Sequence, residues 1–347
     1  MRCELADLGT DAMVGSYRLV RELGRGGMGT VYEARHAVLP RRAALKVMHA
    51  ELRRQPGMAT RIVQEASILE SVRHPGIVRV YECSILPDHR PYIAMELAEG
   101  TTLAHRFVHS PLSAGELAVL LAEVADVLAA VHARGVIHRD LKPDNLVLMP
   151  HDRDFPLRVL DWGIARLGPL GHVTLDGFTP GTPIYMSPEQ AAGRDIGAPC
   201  DMYSLGVIAY EALAGRPPFD GRTLAEVVCL HMQGEAAPLA ELTSAPRALC
   251  ELVHRMLAKD PAQRPCAVEV RQQARAIAAA HAGDYETFEL EGREVARPRH
   301  HGIEADVLEH GPTEILPAIH RPRWTPEIVP IAAPVATGNI PAALKPR

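Results

Sequence analysis

Three side chains that could do chemistry together lie close to one another in the middle of the chain. They are Asp140, Lys142 and Asn145, at the end of the run from Val136 to Asn145. A carboxylate can accept a proton, an ammonium can neutralise a phosphate oxygen, and an amide oxygen can bind a hard cation. Together these groups could transfer a phosphoryl group to a hydroxyl. A solvated turn without chemistry is the alternative, and the tight spacing of the three groups disfavours it.

The elements on either side of this run can position it rigidly. Ser113 and Glu116 have the spacing of a helix-capping box, and Gly135 marks a helix end. Between them apolar residues recur at spacings of three and four, which predicts an amphipathic helix. The apolar run 146–149 predicts a strand immediately afterwards. The reactive residues therefore occupy a polar loop between two apolar elements, where functional groups are commonly found.

A glycine-rich segment near the N-terminus predicts a phosphate-binding turn. Its glycines at 24, 26, 27 and 29 would let backbone amides approach a ligand. The pattern alone is weak, since a flexible turn or a dinucleotide-binding fold also contains it. The dinucleotide-binding fold requires a helix to begin at the glycines. Here residues 30–35 have the pattern of a strand instead, which favours a hairpin.

Lysine is rare in this chain, and two lysines fall where an ammonium would touch phosphate. Lys46 lies in the apolar run 42–48, and a buried ammonium needs an anion. Glu65, on a predicted helix over 58–72, is the expected partner, whereas Glu70 falls too near the helix end. A lysine that reaches solvent at a sheet edge is the alternative interpretation. Of 37 basic side chains only four are lysines: Lys46, Lys142, Lys259 and Lys345.

Taken in order, these motifs resemble those of the eukaryote-like bacterial serine/threonine protein kinases. The catalytic loop, the glycine loop and the strand lysine carry the resemblance, which covers residues 17–280. The runs Gly-Gly-Met-Gly and Tyr-Met-Ser-Pro-Glu-Gln suggest the bacterial branch. The resemblance implies an α+β fold of two lobes. A small N-lobe, 17–97, would contain an antiparallel sheet and one main helix, and the C-lobe, 98–282, would be larger and mostly helical. Residues 1–16 are expected to be a tail.

The resemblance also implies a role for each reactive residue, with ATP as the phosphate donor. Asp140 would be the catalytic base and Lys142 would neutralise the transferred phosphoryl group. Lys46, held by Glu65, would bind the α- and β-phosphates. The nucleotide would contact the positions that match the family's site, with main-chain groups of Glu96 and Ala98 on the adenine edge: Leu23, Gly24, Gly26, Gly27, Gly29, Val31, Ala44, Lys46, Met95, Glu96, Ala98 and Val147.

The metal site implied by the resemblance combines Asn145 with a second acid. Asp161 ends the predicted strand 157–160, in the run Asp-Trp-Gly, and would bind Mg²⁺ (or Mn²⁺) together with Asn145. The family usually has phenylalanine where this chain has Trp162. The acid and the glycine are kept, so metal binding is still expected. The larger indole puts in question how easily this corner moves between active and inactive packings.

The segment 164–180 resembles an activation loop and contains two hydroxyl residues, Thr174 and Thr179. Phosphate on one of them would pair with Arg139, next to the expected base. A permanent pairing of Arg139 with a carboxylate is the alternative. The following stretch, 181–189, resembles the substrate-docking segment.

Two further interactions are expected around that docking segment. Thr182 should bond Asp140 and Lys142, which is consistent with serine or threonine rather than tyrosine as the acceptor. Glu189 should pair with Arg264 as a buried structural ion pair. The family's Ala-Pro-Glu triplet is Ser-Pro-Glu here, a mild departure.

The C-terminal half of the predicted domain is expected to be helical. Asp201 begins an apolar run typical of a buried helix, and either caps that helix or accepts amides of the catalytic loop. Further helical patterns cover 224–232, 248–257 and 267–280.

Composition excludes several classes of function. The chain has 347 residues and a formal net charge of −5, which provides no field that attracts nucleic acid. It lacks the run of about 18 apolar residues that a membrane span requires, and its N-terminus lacks a signal-peptide pattern. The six cysteines are scattered, as expected of reduced thiols rather than of disulfides or a zinc site. We therefore expect a cytoplasmic protein, and the kinase resemblance implies that it acts on protein substrates.

Residues 283–347 are predicted to be disordered, because they are rich in proline and have no hydrophobic period. Four threonines there are each followed by Leu or Ile three residues later. FHA domains, as a family, favour phosphothreonine with an aliphatic residue at that offset. The pattern predicts autophosphorylation of the tail and recruitment of an FHA-type partner through Thr287, Thr313, Thr325 and Thr337.

Two other functions stay open at this point. A pseudokinase, which binds ATP or acts as a scaffold without catalysis, is disfavoured by the intact acid, amide and lysine. A small-molecule kinase of related fold is disfavoured by the stretch 164–189, which suits the docking of a peptide. A transient homodimer is expected if one copy phosphorylates another.

Overall fold

The structure is a computed structural model. It describes residues 9–26, 29–49, 58–149, 152, 155–162, 182–281, 287–290 and 293–296. At residues 58–61, 65, 182, 287–290 and 293–296 only the backbone is described.

The N-lobe is built on one antiparallel sheet and one helix. The helix, α1, covers Met58–Val72 and lies between the fourth and fifth strands along the chain. The six strands are β1 (Met13–Val14), β2 (Tyr17–Gly26), β3 (Gly29–His36), β4 (Arg42–Met48), β5 (Val80–Ile85) and β6 (Pro91–Met95). They pair in the order β1-β2-β3-β4-β6-β5, so the expected strand–glycine turn–strand hairpin is formed by β2 and β3.

Helix α1 joins the two lobes through its buried face. Ile62 and Ala66 pack against Met48 and Ile93 of the sheet, whereas Leu69 belongs to the core of the C-lobe. The spacing of three and four predicted this face.

The C-lobe is mostly helical, with a small three-stranded sheet in the order β7-β8-β9. Its strands are β7 (Thr101–Thr102), β8 (Leu146–Leu148) and β9 (Leu157–Val159). Its helices are α2 (Leu103–His109), α3 (Ala114–His132), α4 (Pro188–Ala191), α5 (Pro199–Ala214), α6 (Leu224–Gln233), α7 (Arg247–Met256) and α8 (Ala267–Ala280).

The largest core of the molecule surrounds α3 and α5. The predicted capping box begins α3: Glu116 donates its amide to the Ser113 hydroxyl, and the Ser113 amide donates to the Glu116 carboxylate. Gly135, just beyond α3, has φ of +74°, a left-handed conformation that glycine adopts without strain. Helix α5 is buried from Cys200 to Tyr210, as its all-apolar pattern predicted.

The structure corrects several predicted boundaries. Ordered structure begins before residue 17, because β1 pairs with β2 and Val14 is fully buried. The strand expected over 77–81 lies at β5 instead, three residues later. In the C-terminal region predicted to lack regular structure, residues 287–290 (β10) and 293–296 (β11) form an antiparallel hairpin.

Candidate active site

The catalytic loop is held by the start of α5. The two carboxylate oxygens of Asp201 accept the backbone amides of His138 and Arg139, at 2.8 and 2.9 Å. His132, at the end of α3, donates to the same carboxylate at 2.7 Å. Of the two roles predicted for Asp201, the structure shows the binding of loop amides, because α5 begins two residues earlier and its N-cap, Ala198, makes no side-chain cap.

His138 fixes the loop from inside the lobe. Its ring is fully buried, its Nε2 donates to the Leu160 carbonyl at 2.8 Å, and its Nδ1 accepts the Asp140 amide at 3.3 Å. Burial lowers the pKa of His138 and outweighs the nearby carboxylates that raise it, so the ring is neutral. The loop is thereby tied to the strand end that bears Asp161.

Two non-glycine residues of this region have left-handed backbones: Arg139 at φ +63° and Asp161 at φ +52°. Such conformations cost about 1–3 kcal/mol each and persist only where the surroundings impose them. Arg139 is held through its amide by Asp201 and through its carbonyl by Gln190 Nε2, at 2.8 Å. Within this region the backbone strain therefore lies at Arg139, next to the expected base, and at Asp161, the expected metal ligand.

The reactive side chains converge although their positions in the chain are far apart. Lys46 Nζ lies 2.5 Å from Asp161 Oδ1. The Leu160 amide donates to the Asn145 carbonyl at 2.8 Å, and Asn145 Nδ2 donates to the Asp140 carbonyl at 2.8 Å. Lys142 Nζ lies 3.7 Å from Asp140 Oδ2. Five of the predicted residues thus form one continuous group: Lys46, Asp161, Asn145, Asp140 and Lys142.

The electrostatics of this group keep Asp161 ionised. Burial would raise the pKa of Asp161, but the charge of Lys46 and its hydrogen bond lower it on balance, with a smaller contribution from Lys142. The Asp161 side chain remains 40% exposed, so it is open to a ligand. Asn145 is buried, and because Nδ2 is used internally, its Oδ1 is the atom left for a cation.

Oxygen donors of this kind suit a magnesium ion. A carboxylate and an amide oxygen are typical ligands of this hard cation, which also retains water or phosphate oxygens. Residues Asn145 and Asp161 therefore fit the expected metal.

One face of the N-lobe sheet carries five of the twelve predicted nucleotide contacts. Residues opposite each other in a sheet lie on the same face, and Gly24 pairs with Val31, Val31 with Lys46, and Ala44 with Met95. The alternate residues of β4 are buried in the N-lobe core, on the opposite face. The register therefore groups these five positions around Lys46. Gly29 has a further requirement, since a Cβ there would lie 2.1 Å from the Val47 carbonyl oxygen.

The segment after β6 is tied to both lobes through Glu96. The Glu96 amide donates to the Arg79 carbonyl at 2.8 Å, and its Oε2 accepts the Arg79 amide at 3.2 Å. Its Oε1 accepts Arg158 Nε at 3.1 Å. Arg158, on β9, is itself buried and donates to Asp152 at 2.5 Å and to two backbone carbonyls. This network fixes the strip of backbone where the adenine contacts of Glu96 and Ala98 are predicted.

The ion pair predicted between Glu189 and Arg264 is present. Arg264 Nη1 and Nη2 donate to the two carboxylate oxygens at 2.7 and 2.8 Å, and both side chains are buried. The same guanidinium also donates to the carbonyls of Pro199, Ala258 and Lys259. The pair therefore joins α4, the start of α5 and the chain before α8.

Trp162 packs inward, in the core of the C-lobe. It is 5% exposed, and its ring lies 4.8 Å from the His138 ring, centroid to centroid. Among the described residues, its Nε1 is a buried donor that has no acceptor. The indole is thus accommodated in contact with the residue that orders the catalytic loop.

Several predicted residues cannot be placed. The side chain of Glu65 is not among those described, although its backbone lies in α1; Glu70, the competitor, accepts the Val80 amide at 3.1 Å. The side chain of Thr182 is likewise not described. The remaining positions lie outside the described residues: Gly27, Thr174, Thr179, Thr313, Thr325 and Thr337.

Sequence reasoning missed the residues that hold the predicted site residues in place through hydrogen bonds. His132, His138, Gln190 and Arg158 contact the predicted residues or their backbone, yet none was assigned a role. A signal existed for Arg158, an arginine in an otherwise apolar strand, since such a charge requires a partner. No local pattern indicates which distant group that partner is.

Comparison with known proteins identifies the family to which the chain belongs. The family model described as "Protein kinase domain" matches residues 17–274. The chain belongs to the protein kinase family.

Relatives of this kinase include serine/threonine-protein kinases from three bacteria. Pkn1 of Myxococcus xanthus is 41% identical over 77% of the chain, and PkaA of Streptomyces coelicolor is 36% identical over 76% of it. PknA of Mycobacterium tuberculosis is 36% identical over 72%. The chain spans 38%, 50% and 58% of the lengths of these three relatives, respectively.

The kinase also resembles a solved structure. The crystal structure of the Mycobacterium tuberculosis PknI kinase domain is 27% identical to it, with a TM-score of 0.60. The match covers 78% of this chain and 98% of that domain. The two-lobed kinase fold expected from the motifs is therefore confirmed. Within the described ranges, none of the helices combines the length and the apolar character needed to cross a membrane.

Proposed function

We propose that this kinase transfers the γ-phosphoryl group of ATP to serine or threonine hydroxyls of protein substrates. The observation that supports this most directly is the continuous group formed by Lys46, Asp161, Asn145, Asp140 and Lys142. It unites two cationic groups for phosphate, two oxygen ligands for a cation and one carboxylate for a proton. The names of the bacterial relatives support serine and threonine as the acceptors.

In this mechanism most of the catalysis is positioning and charge stabilisation. Asp140 orients the substrate hydroxyl and finally accepts its proton. Lys142, 3.7 Å from Asp140, neutralises the phosphoryl group as it moves. Lys46 binds the α- and β-phosphates, and we assign Glu65 as the residue that holds it. The predicted nucleotide-binding positions on the sheet face and after β6 complete the site.

Asn145 and Asp161 are the residues that would hold magnesium, which would offset the negative charge of the phosphates. Asp161 contacts Lys46 in this structure. Binding of ATP and the metal would therefore require Lys46 to shift its contact from that carboxylate to phosphate oxygens.

Replacement of the proposed base tests this function. We expect Asp140→Asn to lower phosphoryl transfer by at least about 100-fold, because an amide cannot accept the proton, while ATP still binds. Phosphate incorporation into a generic basic protein from radiolabelled ATP would be measured, with nucleotide binding followed by a fluorescent ATP analogue. Asp144→Asn is the matched control, since it removes a neighbouring carboxylate outside the proposed machinery. Retention of turnover in Asp140→Asn would reject Asp140 as the base.

Phosphorylation of the chain itself is a second part of the proposal. We assign Thr174 or Thr179 as an activating site whose phosphate contacts Arg139, reached in a transient homodimer. The tail threonines, at 287, 313, 325 and 337, are proposed as autophosphorylated recruitment sites for an FHA-type partner. Mass mapping after incubation with ATP tests both assignments, and a map without phosphate beyond residue 284 would remove the second. A cytoplasmic location stays a prediction.

A pseudokinase is the competing function. The same assay distinguishes it, because a pseudokinase would bind the nucleotide analogue without labelling any protein. A small-molecule kinase would likewise leave the protein substrate unlabelled. The presence of the complete acid, amide and lysine set favours catalysis over both.

A further inference from the structure

A buried polar cluster lies beside the segment that follows Thr182 and shares no residue with the phosphoryl-transfer group. It consists of His231 on α6, Tyr203 on α5, and Lys259 before α8, with Phe219 beside them. His231 and Tyr203 have no exposed surface. Burying such groups is unfavourable unless they are paired or used.

The hydrogen bonds of this cluster are donated in order from Lys259 to Tyr203 and from Tyr203 to His231. Lys259 Nζ donates to the Tyr203 hydroxyl at 3.4 Å, and that hydroxyl lies 3.1 Å from His231 Nδ1. Because the ammonium can only donate, the phenol oxygen accepts from it and its own proton is available for Nδ1. Burial, and to a lesser extent the charge of Lys259, lower the pKa of His231 to about 4, so the ring is neutral at neutral pH. The single ring proton is therefore on Nε2.

Lys259 is itself held firmly in place. Its ammonium donates to the His231 carbonyl at 2.9 Å and to the Leu230 carbonyl at 3.3 Å, in the last turn of α6. A cation is favourable at this end of a helix dipole. It also lies 4.0 Å from the centre of the Phe219 ring, a cation–π contact. Burial, and then Arg264, lower its pKa to about 8, which leaves it mostly charged at neutral pH.

His231 Nε2 points to the start of the docking segment. Backbone groups of Ile184 and Pro183 act on the ring as hydrogen-bond acceptors that favour its charged form. The geometry of these contacts is poor, because among the described residues the buried Nε2 makes no hydrogen bond of ordinary distance and angle. The donor is thus present, oriented and unused in this state of the molecule.

The later part of the same segment is already anchored. Ser204 donates its hydroxyl to the Tyr185 carbonyl at 2.7 Å, and the Tyr185 hydroxyl donates to Glu211 at 2.6 Å. Ser187 and Gln190 form a capping box that begins α4. Any adjustment of the segment is therefore confined to residues before Tyr185, where Nε2 points.

We propose that His231 is a positioning residue for protein substrates: its Nε2 proton, fixed by Tyr203 and Lys259, bonds the carbonyl of Pro183 or Ile184 when a substrate lies on the docking segment. This inference deepens the proposed function and depends on it. The segment directly follows Thr182 and is linked to the catalytic loop by the bond from Gln190 to Arg139. We call the hydrogen-bonded series Lys259–Tyr203–His231 the relay. It would stabilise the substrate-bound form of the docking segment and leave the nucleotide site unchanged.

Two substitutions of His231 and one matched control test this role in the full chain. His231→Phe keeps a ring but removes the donor, and His231→Gln restores a donor near the position of Nε2. His254→Phe is the control, since His254 is a second histidine of the C-lobe, partly buried, and its ring accepts the Leu239 amide away from the segment. The KM for a generic basic protein, the KM for ATP and kcat would be measured for each variant.

We expect His231→Phe to raise the KM for the protein substrate about three- to tenfold, the effect of one hydrogen bond. The KM for ATP should not change, His231→Gln should recover most of the loss, and His254→Phe should leave all three constants unaltered. An unchanged KM for the protein in His231→Phe overturns the inference. So does an equal change in both KM values, which would indicate a general structural role.

Hydrogen exchange separates failure of the inference from failure of the proposed function. If the wild-type chain transfers no phosphate, the proposed function fails, yet the relay can still be measured. With the basic protein present, the amides of Ile184, Tyr185 and Met186 should exchange more slowly in the wild type than in His231→Phe. Equal exchange in the two proteins would reject the relay whether or not the chain is active.

Discussion

The chemistry of single residues in this kinase depends on how their neighbours set protonation. Asp161 stays ionised because the lysine charge outweighs the effect of burial, and His138 stays neutral because burial outweighs its carboxylate neighbours. Asp201 follows the first pattern: burial would raise its pKa, but the hydrogen bond and charge of His132 lower it, helped by the backbone amide of His138. The buried acids of the site are thus all supplied with donors before any ligand arrives.

His231 gives a pH dependence that can be measured. Its pKa is about 4 in the folded protein, against about 6.5 in an unfolded chain. Between these values the unfolded state binds more protons, so the free energy of unfolding falls as the pH falls from 6.5 to 4, by on the order of 3 kcal/mol. We expect denaturant titrations of His231→Phe to lack this component.

The difference in stability between the two proteins isolates that residue. Acids such as Asp201 also lose stabilisation as the pH falls, but they do so equally in wild type and variant. The wild type should therefore lose its advantage over His231→Phe progressively below pH 6.5. A difference that stays constant from pH 7 to pH 4 would contradict a neutral buried ring.

At the scale of elements, the small sheet of the C-lobe positions the backbone after β6, where the adenine contacts are predicted. Arg158 on β9 reaches Glu96 directly after β6, and Glu96 in turn holds the backbone of Arg79 before β5. Three elements from both lobes therefore meet at one carboxylate. The backbone that is expected to bind adenine depends on this link rather than on its own side chains.

We expect Arg158→Met to raise the KM for ATP several-fold and to lower the free energy of unfolding by about 3 kcal/mol. The reason is that Glu96 and Asp152 would lose their shared cation in a mostly buried setting. For Arg158→Lys, both the KM for ATP and the free energy of unfolding should fall between those of the wild type and Arg158→Met, since an ammonium cannot make all the hydrogen bonds of a guanidinium. Titration with a fluorescent ATP analogue and urea denaturation measure the two effects. Wild-type nucleotide affinity in Arg158→Met would show that the link does not position the segment.

At the scale of the whole molecule, the largest hydrophobic core of the described residues lies in the C-lobe. Its core surrounds α3 and α5 and extends to Leu69 of α1, whereas the N-lobe core is a smaller, separate cluster. The Glu189–Arg264 pair closes this larger core below the docking segment. It joins parts of the chain 75 residues apart in sequence.

We expect Arg264→Met to destabilise the protein by about 3–5 kcal/mol, because it leaves the Glu189 carboxylate buried without its cation. Arg247→Met is the control: Arg247 pairs with Glu251 one turn later on α7, but its side chain is 89% exposed. An exposed pair of this kind contributes little to stability, because water screens the two charges. Chemical denaturation monitored by circular dichroism gives both values. Similar losses of unfolding free energy in the two variants would mean that the buried pair stabilises the protein no more than the exposed one.

Much of the fold could be predicted because its signals are local. The capping box at Ser113, the spacing of α1 and the pattern of α8 each depend on residues within a few turns of one another. The bounds of α8 were predicted as the structure has them. The strand at 77–81 was displaced because Ile77 and Val78, although apolar, are buried outside the sheet; Ile77 instead bridges to Val159 of the C-lobe.

The sequence by itself predicted which residues could carry chemistry, since the acid, lysine and amide of the catalytic loop are close together in the chain and their proposed roles follow from their types. Only the tertiary structure decided which distant groups meet them: Asp161 at Lys46, Asp201 beneath the loop, and Arg158 at Glu96. It also brought Lys259, Tyr203 and His231 together beneath the docking segment. A local pattern can report that a buried charge needs a partner, but the partner is selected by packing between elements that are far apart in sequence.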